Sequence, residues 1–144
     1  MSETGLEVFD TTVQKTNSWL KDVMAELGWQ DRQRAYLALR ATLHALRDRL
    51  TVDEAAQLAA QLPMLVRGFY YEDWKPAGKP LRMRSREEFL ARIEEEFARA
   101  APIDPEQVAH AVFAVLAARI SKGEIQDVEQ VLPAEIRDLW PAMH

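Results

Sequence analysis

LTVDEAAQLAAQLPMLVRGFY at residues 50–70 and ISKGEIQDVEQVLPAEIRDLW at residues 120–140 share one pattern at a distance of 70 positions. In both segments a hydroxyl residue, Thr51 or Ser121, stands three positions before a glutamate, which is the signature of a capping box at a helix start. A leucine and a proline follow at matching places in each segment, and an arginine comes four positions after the proline. The two segments therefore predict the same pair of short helices, written twice.

The match extends beyond these two segments. When the chain is shifted by 70 residues without a gap, residues 19–70 lie over residues 89–140 with nine identities, where composition alone gives about three. Apolar residues also face apolar residues at the positions expected to be buried. We therefore expect an all-α fold made of a duplicated helical unit, with three to four helices per copy, packed as a single helical bundle. Within one domain of residues 1–144, copy one spans 5–71, a connector spans 72–84, and copy two spans 85–141.

The first helix is predicted by an apolar stripe in which residues recur mostly at steps of three and four. The stripe consists of Leu6, Phe9, Val13, Leu20, Val23 and Leu27. A capping box of Thr4 and Glu7 is expected to begin this helix and Gly28 to end it. A second helix is expected from about Asp31 to Arg49, and no segment alternates with the period of a strand.

Composition limits the partners and the compartment. The chain has 144 residues, a net charge of −5 and no cysteine, so disulfides and thiolate metal sites are excluded. The first residues have neither the basic nor the apolar region of a secretion signal, and no apolar run has the length of a membrane span. We therefore expect a soluble cytoplasmic protein, without a membrane partner, whose acidic surface repels duplex nucleic acid.

The paired segments, together with SREEFLARIEEEF at residues 85–97, resemble the domain of unknown function 2267 family of small bacterial proteins. The resemblance covers nearly the whole chain. It implies an all-helical bacterial domain, and it brings no catalytic residue, substrate or cofactor that could be transferred to this sequence.

The residues offer little catalytic chemistry. The three histidines, His44, His110 and His144, do not have the spacing that aims two ligands from one helix at a metal ion. His110 lies in an apolar helix, which favours a hydrogen-bonded structural role, and the glutamates at 94–96 are interpreted as a solvated face. We expect no cofactor, no metal and no catalytic residue. An enzyme with convergent carboxylates remains an alternative, which would require a concave site with a displaced carboxyl titration.

The first hypothesis for function is therefore a non-enzymatic interaction module that acts through protein contacts or self-association. The fourth helix of copy one is more apolar outside than its counterpart, since Leu65 corresponds to Glu135. The candidate partner surface consists of Met64, Leu65, Tyr71 and Trp74.

The second hypothesis is an anion or a nucleotide-like ligand bound at the connector and the start of the next helix. The candidate anion-binding residues are Lys75, Lys79, Arg82, Arg84 and Arg86. The competing interpretation is a surface connector in which Trp74 packs against the bundle and the cations stay solvated.

Two arginine pairs also recur at the offset of 70, Arg49 with Arg119 and Arg67 with Arg137. They are expected to form an internal ion pair with Glu54 or Glu124, or to cap helix carbonyls, in each copy.

Overall fold

The computed structural model describes residues 3–97 and 102–142, and all regular structure within these ranges is helical, which confirms the all-α prediction. The helices are α1 (Glu7–Leu27), α2 (Arg32–Arg49), α3 (Val52–Ala59), α4 (Met64–Tyr71), α5 (Arg86–Glu96), α6 (Pro105–Arg119), α7 (Lys122–Gln130) and α8 (Ala134–Arg137). No helix in the described ranges combines the length and the apolar character needed to cross a bilayer.

Helix α2 is the centre of the bundle. It packs against α1, α4, α5 and α6, and its residues from Ala41 to Asp48 are all buried. A helix that is buried on every side must be apolar around most of its circumference, and α2 meets this demand with alanines and leucines. Three of its charged side chains, Arg40, Arg47 and Asp48, form ion pairs that belong to one of the sites described below.

Local sequence signals set most helix ends, and the predicted end of α1 is confirmed. Gly28 ends α1 in the left-handed conformation, with a φ of 68°. Ser85 and Glu88 form a complete capping box at α5, and Asp104 accepts hydrogen bonds from two backbone N–H groups at the start of α6. At α3 and α7 only the hydroxyl half of the predicted box forms.

The start of α1 differs from the prediction. Its N-cap is Leu6, which makes no side-chain capping bond, because Thr4 instead bonds to the carboxylate of Asp10 at 2.7 Å. Leu6 and Phe9, which belong to the predicted apolar stripe, are exposed. Among the residues that the structure describes, none covers these two side chains enough to bury them.

Several structural positions recur at the offset of 70. Helices α2 and α6 end 70 residues apart, and so do the starts of α3 and α7 and of α4 and α8. Arg67 donates to the carbonyls of Ala59 and Leu62, while Arg137 donates to those of Glu129 and Leu132. These repeated positions support the internal duplication, which stays a prediction. Arg49 and Arg119 differ, because Arg49 donates to the carbonyl of Met83 and Arg119 to Asp22.

The connector is tied to the bundle at both ends. Trp74 packs against the core, as predicted, and its ring centroid is 5.3 Å from that of Tyr71. Further along, Met83 is buried, and the backbone N–H of Leu81 donates to the carbonyl of Asp48 at 2.8 Å. Between and around these anchors the connector is exposed at most positions, as expected of a surface segment.

Candidate functional site

The most exposed apolar surface lies where the first turns of α1 meet the start of α4. We call it the open end, and it consists of Leu6, Val8, Phe9, Met64 and Leu65. Each of these side chains is between 43 % and 58 % exposed. Soluble proteins rarely expose several large apolar side chains together without a function for them.

A hydrogen bond from the backbone N–H of Leu65 to the hydroxyl of Thr12, at 2.9 Å, fixes the position of α4 against α1. On one side of this contact lies a groove of about 600 Å³, whose lining includes Val8, Thr11 and Met64. Glu7 and Lys15 line the same groove two helical turns apart. Its apolar floor is thus bordered along α1 by an acid near one end and a base near the other.

The predicted partner surface is only partly reproduced. Met64 and Leu65 are exposed, whereas Tyr71 and Trp74 are partly buried and pack against the core. The ring of Tyr71 also contacts that of Tyr70, which is fully buried, with centroids 5.2 Å apart. Tyr71 and Trp74 therefore anchor the connector to the bundle. The open end contains Met64 and Leu65 together with residues of α1, and it does not include Tyr71 or Trp74.

A second cleft lies on the other side of α4, and we call it the α1–α2–α4 cleft. It measures about 590 Å³. Its walls include Leu20, Tyr36, Leu65 and Phe69, and the rings of Tyr36 and Phe69 meet edge to face at 5.3 Å. Sequence reasoning missed this cleft, because its walls come from three helices that are distant in the chain.

A third, charged cleft of about 600 Å³ lies between α2, α5 and the connector. Of the five predicted anion-binding cations, Lys75 and Lys79 line it. Arg82 and Arg84 are exposed elsewhere on the connector, and Arg86 pairs with Glu106 at 3.1 Å. The structure therefore does not bring the five cations together, because the connector turns between them and α5 begins at Arg86.

An ion-pair network forms the inner wall of the charged cleft. His44 contacts the Glu96 carboxylate through Nδ1 and the carbonyl of Phe69 through Nε2, both at 2.6 Å. Arg40 joins the same Glu96 at 3.0 Å and Glu72 at 2.7 Å. Both partners of His44 are acceptors, so the ring makes both bonds only when both nitrogens carry hydrogen. Both ring nitrogens are thus engaged by groups of the protein itself.

Glu96 does not belong to the solvated face predicted for residues 94–96. Burial alone would raise the pKa of its carboxyl group. The hydrogen bond from His44 and the charges of His44, Arg40 and Arg47 outweigh burial and hold this pKa below its usual value. Glu94 and Glu95 are exposed as expected.

Arg47 and Asp48 continue the network towards the connector. Arg47 is buried and donates to the carbonyls of Tyr70 and Glu72, both at 2.5 Å. Asp48 accepts from Arg47 at 3.1 Å and from Arg92 at 2.8 Å. Arg47 therefore holds the end of α4 to α2, while Asp48 links α2 to α5.

Glu54 of α3 and Glu124 of α7 form a pair of buried carboxyl groups, 8 % and 7 % exposed. Burial, the hydrogen bond with Glu54, and the negative charges of Glu54 and Asp127 raise the pKa of Glu124 to about 8. The pair thus holds a proton instead of the predicted ion pair with an arginine. Its titration is displaced as the enzyme alternative required, but neither residue lines any of the three clefts.

The remaining histidines are His110 and His144. His110 is exposed and lies 3.9 Å from Glu106, which corrects the prediction of a hydrogen-bonded histidine in an apolar setting. His144 lies outside the described residues. Within residues 3–97 and 102–142, no group of three or more potential metal ligands comes together.

The chain has no match among curated proteins. It matches the model of a family described as "Uncharacterized conserved protein (DUF2267)" over residues 16–139, which is most of its length. The chain therefore belongs to the DUF2267 family.

Proposed function

We propose that this protein is a non-enzymatic interaction module that self-associates through the open end. One observation carries the proposal: exposed Val8 of α1 and exposed Met64 of α4 line one groove, and Leu6, Phe9 and Leu65 are exposed on the same two helices. Covering such side chains recovers about 25 cal/mol for each Å² removed from water. The engagement of both nitrogens of His44 supports the non-enzymatic part of the proposal.

Charge complementarity favours a second copy of this chain as the occupant. Two-fold symmetry brings the same surface of both subunits together, so that residue i meets residue j and j meets i. If two α1 helices run antiparallel with Thr11 at the centre, Glu7 of one copy lies opposite Lys15 of the other. In the same alignment the apolar groove beside Met64 of one copy faces the apolar groove of the other copy. One register therefore pairs opposite charges and also covers apolar surface.

Sedimentation velocity over a range of protein concentrations tests this proposal. The wild type is expected to show a concentration-dependent dimer, and Met64→Glu is expected to remain monomeric with an unchanged circular dichroism spectrum. Arg82→Glu, on the exposed connector, is the matched control and should dimerise like the wild type. A strict monomer at all concentrations would overturn the proposal.

The antiparallel register has a test of its own. Glu7→Lys and Lys15→Glu each place like charges opposite each other and should weaken the dimer, most clearly at low salt. The double variant restores opposite charges and should recover the wild-type dimer. If the double variant is weaker than either single variant, the register is wrong.

A second candidate function is the binding of a small anion at the charged cleft. It is supported by Lys75 and Lys79, which line the cleft beside Arg92. Isothermal titration with inorganic phosphate and with ATP should show binding that the double variant Lys75→Gln, Lys79→Gln abolishes. The double variant Arg82→Gln, Arg84→Gln, on the outer part of the connector, should bind like the wild type. Equal binding by both variants would refute this site.

A further inference from the structure

The α1–α2–α4 cleft has the size and the lining of a small-molecule site. Its volume of about 590 Å³ falls within the range typical of ligand pockets, which are mostly apolar with a few polar groups. Leu20, Tyr36 and Phe69 supply apolar and aromatic walls. A ligand that fits these walls must have an apolar body.

The polar groups of the cleft include one cation that lacks a protein partner. Arg32 lines the cleft beside Gln33 and Asn17, and it makes no ion pair within the described ranges. The only carboxylate of the lining, Glu72, is bound by Arg40 at 2.7 Å. Arg32 also stands in the first turn of α2, where a cation is unfavourable to the helix dipole; the N-cap Asp31 next to it uses its carboxylate to accept from the N–H groups of Gln33 and Arg34. An anionic ligand group would remove this disadvantage.

Gly68 gives an independent reason to regard the cleft as a site. It lies inside α4, where glycine is a much poorer helix former than alanine. A Cβ atom added to Gly68 would meet no heavy atom within 4 Å, so packing does not demand glycine here. The visible effect of the missing side chain is to leave this wall of the cleft open.

From these observations we infer that the α1–α2–α4 cleft binds a small monocarboxylate with an apolar body. The carboxylate lies at Arg32, where the guanidinium can form two parallel hydrogen bonds with it. The apolar body lies against Tyr36 and Phe69, alongside Gly68. The inference is independent of self-association through the open end, although Leu65 borders both surfaces.

Octanoate is a suitable probe, and octanol is the control that keeps the apolar chain but removes the charge. Nuclear magnetic resonance titration of the ¹⁵N-labelled protein should show saturable shifts around Gly68 and Arg32 with octanoate. Octanol should bind roughly tenfold more weakly, which corresponds to about 1.4 kcal/mol. Arg32→Gln should lower affinity for octanoate to that of octanol and leave octanol binding unchanged.

Gly68→Leu is the decisive variant, because leucine fills the cleft and is also the better helix former. It should abolish octanoate binding while its melting temperature stays equal to or above that of the wild type, so lost binding cannot be ascribed to unfolding. Unchanged octanoate binding in Gly68→Leu would overturn the inference, and so would equal affinity for octanol and octanoate. If Gly68→Leu instead disrupts the dimer, the cleft belongs to the subunit interface and the inference is wrong.

Discussion

The buried carboxyl groups of Glu54 and Glu124 interact in the interior between α3 and α7, and each leaves its Oε2 atom without a hydrogen-bond partner. Each residue stands three positions after a hydroxyl N-cap, where a glutamate usually returns to the backbone of its own helix. Here the two side chains turn towards each other. The hydroxyl of Tyr70 donates to the carbonyl of Ala55 at 2.8 Å. It lies near enough to Glu54 and Glu124 for a negative charge on either residue to raise the pKa of the tyrosine. The pair can ionise fully only by placing two negative charges in a buried site.

This pair should make the protein less stable as pH rises. The pKa of Glu124 in the folded state, about 8, lies above the ordinary value of 4.5. The protonated pair therefore contributes its full stability below pH 4.5 and loses it as pH rises towards 8. Urea unfolding of the wild type should show a midpoint that falls across this window.

Glu124→Gln should make the urea midpoint less dependent on pH. The amide of glutamine can donate a hydrogen bond to Glu54 at any pH, whereas the carboxyl group of Glu124 can do so only when it is protonated. Glu26→Gln, at an exposed position of α1, is the control and should retain the slope of the wild type. A Glu124→Gln variant with the same slope would show that the pair is not the cause.

Glu96 should have the opposite dependence on pH. Its folded-state pKa is lowered, so it stabilises the protein above the ordinary carboxyl range and loses that contribution as pH falls through the lowered value. Glu96→Gln should cost about 1–3 kcal/mol at neutral pH, since a charged acceptor for His44 and Arg40 is lost.

The difference in free energy of unfolding between Glu96→Gln and the wild type should shrink in acid, because the wild-type carboxyl group is then protonated and uncharged, like the amide of the variant. Guanidinium unfolding at several pH values measures it. Glu94→Gln, on the exposed side of the same helix, should behave like the wild type throughout. A difference that grows in acid would contradict the assignment.

Arg67 and Arg137 should each stabilise the turn between two short helices. Each donates through two nitrogens to carbonyls five and eight residues earlier. Methionine substitutions should therefore destabilise the protein by about 1–3 kcal/mol each, as measured by thermal unfolding. Lysine should not rescue either position, because a single ammonium cannot reproduce the forked geometry. Arg82→Met, at an exposed position, is expected to have no effect.

Met83 should hold the second half of the connector in the core. Met83→Ala is expected to cost about 2–5 kcal/mol, the usual range for truncating a buried methionine. Arg84→Ala, at the exposed neighbouring position, should be nearly neutral. Chemical denaturation measures the free energy of unfolding of both variants against the wild type. A neutral Met83→Ala would mean that the connector does not depend on this contact.

The features predicted correctly from sequence are those that local chemistry decides. Gly28 ends a helix because it adopts the left-handed conformation without strain. Ser85 and Asp104 begin helices because their side chains accept free N–H groups within a few residues. Such rules need no knowledge of the rest of the chain.

The features that were missed depend on contacts between distant segments. Helical periodicity gives the direction of Leu6 and Phe9 on α1, but it cannot say whether an element lies opposite them. The partners His44 and Glu96 are 52 residues apart, and nothing in the local sequence joins them. For Glu54 and Glu124 the sequence did contain a signal, because the same residue type recurs at equivalent positions 70 residues apart. Their contact, however, depends on the packing of α3 against α7, which the local sequence does not predict.

The way the two halves pack has a consequence for how the chain can be divided. Helix α1 lies against α6 and α2 lies against α5, so each half buries the apolar faces of the other and neither has a complete interior alone. The exposed tip of the connector at residues 75–78 is therefore a place where the polypeptide could be cut without separating its parts. Two such fragments would fold only on meeting, which is the property needed for a split-protein reporter.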